Sequence, residues 1–370
     1  MYRRNEFDVT SSIDTTDQGA VSSAVCGIYQ DLYQRDDPGQ IVQAFDDISK
    51  LYRGEYPSYY ACDTSYHDIQ HVLEVTLAMA RLMDGCVRGT DAGVLNERLF
   101  RFGVLTALYH DCGYIRHRKD TRHMNGAEYT KTHVSLGGRF LEEYLVKIGM
   151  ADLAPVAART RHFTGYEVPV GSIRVDPEFR LIGNLLGSAD ILAQMADRCY
   201  LEKCYDRLYP EFVSGGIARH QGQDGKEQVV FASGADLIYQ TPSFYQAAQK
   251  RLNVDLGGYC KYVENHFGGE NLYVTELDKN IEHARKISGA RAAGRRKAHL
   301  TRCMRCLVAG RLQGAHHGIR SIFPTCPAFS IIACACAACA SGNVLLVTTR
   351  MRPAAMCGHT CASSSAAMRA

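Results

Sequence analysis

No aspartate or glutamate follows Glu282 in this 370-residue chain, although lysine and arginine continue to its end. Thirteen of the 42 basic residues lie beyond that point, which leaves 29 to face all 39 acids in the first part. The net charge of +3 thus averages an acidic body and a basic tail. An acidic body opposes a nucleic-acid duplex with its own field, so duplex binding is excluded as the main role. The body also lacks any apolar run of about twenty residues. The opening MYRRNEFDVTSSIDTTDQ has no apolar stretch that could serve as a signal peptide. The nearest approach to a membrane span, Ser330 to Val347, is mostly Ala and Cys and is interrupted by Ser-Gly-Asn. Paired cysteine spacing is missing from the body too. Seven of the 15 cysteines are scattered over residues 1–300, and the other eight crowd between Cys303 and Cys361. These absences lead us to expect a cytoplasmic protein with reduced thiols and no membrane partner.

At 46% hydrophobic residues the chain can bury a full core in one large domain or two smaller ones. Residues 1–22, rich in Ser, Thr and Asp, read as a flexible leader. Residues 23–288 read as an all-α domain. Val72, Val75, Met79 and Leu82 recur at helical spacing, as do Leu95, Leu99, Phe102, Leu105 and Leu108. Further helices are expected from His133 past Ile148, over Leu153 to Arg161, from Phe179 to about Leu208 with Pro210 as its stop, over Asp236–Arg251 and over Gly258–Asn265. Gly137-Gly138 permits close helix approach at some cost in helix propensity. Val213 to Ala235 reads as a loop or a small hairpin. Residues 289–370 read as a disordered or aberrant tail, since lost acids with abundant Ala, Arg and Cys are what an out-of-frame stretch of a GC-rich gene would look like. Cys303 and Cys306 form a Cys-x-x-Cys and His316-His317 a pair, but Cys334, Cys336 and Cys339 complete a zinc module only awkwardly.

Three constellations carry chemistry. His67 and His71 stand at i and i+4 in Tyr66-His67-Asp68-Ile69-Gln70-His71, on one helix face. They share a site or are two half-exposed surface histidines. His110-Asp111 closes an apolar helix and is followed by Cys112-Gly113, where the chain can turn. A carboxylate there needs a partner or a metal, unless it only caps the helix. Asp190 lies among Leu185, Leu186, Ile191 and Leu192 and needs the same, with a salt bridge to Arg161 or Arg198 as the structural alternative.

Together these residues resemble the HD superfamily of metal-dependent phosphohydrolases, in which a His, an adjacent His-Asp pair and a distant Asp converge on a metal inside a helical bundle. The order here is His71, His110-Asp111, Asp190. Tyr66-His67 followed by His71 also looks like the signature of the cyclic nucleotide phosphodiesterases, with Asp68 where that family has Asn. His133 and His162 fit the order of the binuclear, HD-GYP-like phosphodiesterases, although the Gly-Tyr-Pro signature is absent and Gly165-Tyr166-Glu167-Val168-Pro169 only echoes it. The resemblance covers roughly residues 60 to 210.

It implies one or two divalent transition metal ions (Mn, Fe, Co, Ni or Zn, with Mg as an option at the second site) held by His71, His110, Asp111, His133, His162 and Asp190. In that arrangement Asp111 bridges the ions and a metal-activated hydroxide attacks phosphorus. His67 then resembles the general acid that protonates the leaving oxygen. Lys119, Lys131, Arg161 and Gln194 are candidates to hold the substrate. The expected function is a phosphodiesterase hydrolysing a small nucleotide or cyclic nucleotide phosphoester. A mixed-valent diiron oxygenase with the same ligand order and a metal-bound sensing module are the alternatives.

Overall fold

A computed structural model describes residues 5–310 apart from 36, 90–92, 94, 223 and 224, with side chains described as far as residue 291. Helices make up nearly all of the ordered structure, as expected, and the only sheet among the described residues is a two-stranded hairpin. Helices α1 (Gln18–Tyr33), α2 (Gly39–Tyr52), α3 (Ile69–Gly89) and α4 (Glu97–Leu108) are followed by α5 (His133–Lys147), α6 (Ala154–Arg161) and α7 (Pro177–Ala196).

Two helices form the centre. From His71 to Cys86, every residue of α3 except Glu74 is buried, and α7 is buried from Ile182 to Ala196 except for Asp190 and Gln194. A helix that is apolar almost all round must be enclosed. Accordingly α3 packs against α1, α4, α7 and the short α11 (Tyr262–Phe267), and α7 packs against α4, α6 and α12 (Leu272–Gly310). The stripe Val72, Val75, Met79 and Leu82 lies wholly inside this core, with Phe102, Leu105 and Leu108 of α4 opposite.

The segment expected as a flexible leader is packed from residue 5 onward. Phe7 bridges Asp14 in antiparallel fashion, Asp17 caps α1 through Gly19 and Ala20, and Val21 and Val25 enter the core. Its polar residues are used inside the protein. The Asp8 carboxylate pairs with the Arg81 guanidinium of α3, both side chains being 3% exposed, and Arg81 also donates to the Tyr273 hydroxyl at 3.0 Å. Arg81 holds the Asp8 carboxyl below its usual range, against a burial effect that would raise it.

The long helix expected over Phe179 to Leu208 is instead broken after Ala196. Asp197 leaves the helical region at ψ 131°, accepts the Cys199 N–H at 2.8 Å and pairs with Lys203. The chain resumes as α8 (Tyr200–Lys203), a π-helical turn over Cys204–Leu208 and α9 (Tyr209–Ser214). Pro210 lies in the first turn of α9, where a missing N–H is tolerated, and so does not act as a stop.

The region from Val213 to Ala235 contains the small hairpin, β1 (Arg219–Gln221) against β2 (Glu227–Val229), before α10 (Gly234–Lys250). The backbone of α12 runs on to Gly310, past the boundary expected at 289. The side chains of Cys303 and Cys306, and all of 311–370 with the Cys334–Cys339 group and Ser330 to Val347, lie outside the described residues. Cys26, Cys62, Cys86, Cys112, Cys199, Cys204 and Cys260 form no disulfide with one another. Among the described residues no helix is long and apolar enough to cross a membrane.

Breaking the Asp8–Arg81 pair from one side leaves a buried guanidinium without its counter-ion. Asp8→Asn is expected to cost about 3–5 kcal/mol in urea unfolding, and the double change with Arg81→Met to recover most of it. An unchanged urea midpoint in Asp8→Asn would show that residues 5–17 do not pack on α3.

Candidate metal centre

Three helix termini and one helix face bring the ionisable residues together. Asp68 accepts the His71 N–H at 3.0 Å, which starts α3 with His71 buried in its first turn. Beside it, α4 stops at Leu108, and His110 and Asp111 form the turn into a 3-10 helix over Cys112–Tyr114. Gly113 of that turn lies directly against the His133 carbonyl at the start of α5, leaving no room for a Cβ. This contact sets His133 beside Asp111. Asp190 comes from the middle of α7.

The distances are short. His71 Nε2 lies 3.3 Å from Asp111 Oδ2 and 3.6 Å from Asp190 Oδ1. His110 Nε2 is 3.1 Å from the same Asp111 Oδ2, whereas His133 Nε2 is 3.6 Å from Oδ1. The two oxygens of Asp111 therefore face different imidazoles. The ligand atoms of His71, His110 and Asp111 all lie within 4.8 Å of one another and could hold a metal ion.

The donor set passes a test of fit. His110 Nδ1 is 2.8 Å from the Ala107 carbonyl and His133 Nδ1 is 2.8 Å from the Thr130 carbonyl. A carbonyl only accepts, so each Nδ1 carries a proton, and in the neutral form that a metal requires each ring presents its lone pair at Nε2. Despite its approach to Asp111, His110 Nε2 is buried without a well-directed hydrogen bond. A lone pair facing a carboxylate is repelled unless a proton or a metal lies between them, and an Nδ1–H held by a backbone carbonyl is how metal-ligating histidines are commonly oriented.

The ionisation of these groups follows from burial and mutual charge. Burial alone would raise the Asp111 carboxyl, but His110, His71 and His67 outweigh it and hold it well below the usual range. His110 is raised, burial being overcome by Asp111. Burial raises Asp190 and lowers His133 to about 4, so His133 is a neutral ring at pH 7.

His67 stands beside this group without joining it. Its Nδ1 is 2.6 Å from Glu211 Oε2 on α9, and its ring stacks on Tyr114 at 4.3 Å. Tyr114 stacks in turn on His133, also at 4.3 Å and with the same interplanar angle of 17°. Burial opposes protonation of His67, but Glu211, Asp111 and Asp190 together raise it to about 9. Glu211 is 4% exposed, and its other oxygen accepts the Tyr66 N–H. Spacing gives no hint of Glu211, because it lies 144 residues after His67 and is brought there by the broken helix after Ala196.

The remaining site expectations divide. Lys131 and Gln194 line the same cavity as His67, His71, Asp111, His133 and Asp190. Gln194 reaches Asp190 Oδ1 and Tyr66 Oη, each at 3.4 Å. Lys119 is exposed and does not line the cavity. Arg161 is a correction as well. It is fully buried behind the site, where it donates to the His110 carbonyl against Gly137 and so cannot hold a substrate. His162 does not line the cavity either. Its Nδ1 is 2.7 Å from Glu167 Oε1, and it is Glu167 that faces the cavity.

Comparison of the chain with family models, with curated proteins and with solved structures finds no match.

Gly113→Ala tests how the site is built. The added methyl meets the His133 carbonyl and the Gly137 N–H, so α5 must move away from the His110-Asp111 turn. Overpacking of this kind costs about 1–3 kcal/mol. We expect a lower melting temperature together with weaker retention of metal through dialysis. Full retention at an unchanged melting temperature would contradict the packing described.

Proposed function

We propose that the protein is a metal-dependent phosphohydrolase, most concretely a phosphodiesterase for a nucleotide or cyclic nucleotide ester. One observation carries this reading: His71, His110, Asp111, His133 and Asp190 meet in one cluster, with His67, held by Glu211, beside them. Metal ligation by His71, His110 and Asp111, with Asp190 beside them, accounts for one ion, and the outward turn of Asp111 Oδ1 to His133 favours a second. A bound divalent ion would supply acidified water and neutralise charge on the phosphoryl oxygens.

The chain's own residues supply the rest. His67 is the group that would hold a proton beside the site, with Glu211 engaging Nδ1 and Nε2 left to donate. During hydrolysis the oxygen of water joins phosphorus and its proton is released to solvent, the bond from phosphorus to the leaving oxygen breaks, and His67 gives that oxygen its proton and is reprotonated from solvent. The apolar part of the cavity would also suit oxidation of an uncharged substrate, as in the diiron oxygenase reading. The His67–Glu211 pair favours hydrolysis, since a proton donor serves a leaving alkoxide.

An alkoxide needs that proton and p-nitrophenolate does not. His67→Ala should therefore slow hydrolysis of a 3′,5′-cyclic nucleotide by about 10²–10⁴, affect a p-nitrophenyl ester much less, and leave bound metal in place. Equal losses on both substrates would remove His67 from the role of general acid. Glu211→Gln removes the carboxylate charge paired with His67, which raises its pKa. The protonated form is then lost at lower pH, and the basic limb of the pH–rate profile should move down.

A further inference from the structure

The cavity has two unlike halves. One holds the ionisable residues, including the three carboxylates Asp111, Asp190 and Glu167. The other is walled by Leu208, Phe212, Ile217, Phe231, Leu237 and Phe244. Part of this wall is a satellite of the main core. Ile217, Ala218 and Phe231 form a separate buried cluster with Phe212 and Leu237 packed on it, and the Phe212 and Phe231 rings lie 5.7 Å apart. The hairpin holds it in place, since the N–H groups of Val230 and Phe231 both donate to the Ala218 carbonyl, at 2.9 and 3.2 Å. Phe244 of α10 completes the wall.

Cations are scarce there. Among the described residues lining the cavity, Lys131 is the only lysine or arginine, and it is exposed. Polyphosphates are normally held by several charged forks or by nests of backbone N–H groups. Arg161 and Lys119, which could have supplied them, do not reach this space. The cavity volume of about 210 Å³ lies below the ~300–1,000 Å³ of typical ligand pockets, so one ring or a short chain fits beside a phosphoryl group and two nucleotides do not.

We infer that this cavity takes a compact phosphodiester with a single negative charge and one aromatic or aliphatic arm, and that it discriminates against polyphosphates. The arm lies against Phe244 and the hairpin cluster. Ile217-Ala218 and Val230-Phe231, which flank the hairpin strands, are then the specificity element of the enzyme. The inference rests on the phosphohydrolase reading for the phosphoryl end of the ligand and on the apolar wall for the arm.

The test uses the full chain in excess Mn²⁺. Calorimetry gives dissociation constants for diphenyl phosphate, dimethyl phosphate and inorganic tripolyphosphate. In parallel, hydrolysis of bis(p-nitrophenyl) phosphate is compared with that of methyl p-nitrophenyl phosphate. Burying an aromatic arm should favour diphenyl over dimethyl phosphate by roughly 10- to 100-fold, with the same order in kcat/KM for the two nitrophenyl esters. Phe244→Ala should shrink both ratios, and Phe244→Leu, which keeps an apolar side chain, should restore much of them. A diphenyl phosphate preference without turnover of either ester would leave the inference standing and defeat the phosphohydrolase reading. Turnover with no preference for the aryl arm, or tightest binding of tripolyphosphate, would overturn the inference and leave that reading intact. Failure of diphenyl phosphate to bind would overturn the inference as well.

Discussion

An ionised carboxylate inside a helical bundle costs several kcal/mol unless cations or N–H donors surround it. Asp111 is 4% exposed and ionised, and His71, His110 and His133 converge on its two oxygens. Each of these imidazoles comes from a different stretch of chain, so the surroundings of one carboxylate tie together the start of α3, the end of α4 and the start of α5. Asp190 adds α7 through His71. The same convergence that makes the buried charge tolerable gathers nitrogen and oxygen donors that suit a transition metal.

Around this centre the bundle carries further buried charge. Arg161 is fully buried, its Nε and Nη1 have no hydrogen-bond partner, and its one strong contact is to the carbonyl of His110. Burial lowers its pKa, and the Asp111 carboxylate opposes that shift. It holds the backbone of the His110-Asp111 turn from behind, while Gly137 leaves space for the guanidinium. On the open side, Tyr114 lies between the rings of His67 and His133. It thereby links the expected proton donor to the expected ligands through packing alone.

The sequence made the central elements legible because their signals are local. The periodicity of α3 and α4, the starts of α5 and α6 and four of the converging residues, His71, His110, Asp111 and Asp190, could be read from spacing and apolar context. Long-range charge pairing was illegible. Residues 5–17 look like solvent-exposed chain because nothing local shows that Asp8 neutralises Arg81. Glu211 looks like an ordinary surface acid because its partner His67 is far away in sequence. Asp197 hid a helix break, since one carboxylate binding Cys199 and Lys203 outweighs a continuous helical pattern. Arg161 and His162 sit at the end of α6, where sequence cannot tell an inward from an outward side chain. The structure turns one to a backbone carbonyl and the other to Glu167.

The central claim is that Asp111 and its imidazoles form a metal centre. The direct measurement is metal content by mass spectrometry of the full chain, purified without added metal and again after exposure to Mn²⁺, Fe²⁺ or Zn²⁺, beside Asp111→Asn. The account predicts at least about one tightly held transition-metal equivalent in the wild type, with a raised melting temperature, and its loss in a variant that remains folded. A folded wild type that retains no metal and gains no stability from any of the three ions would contradict it.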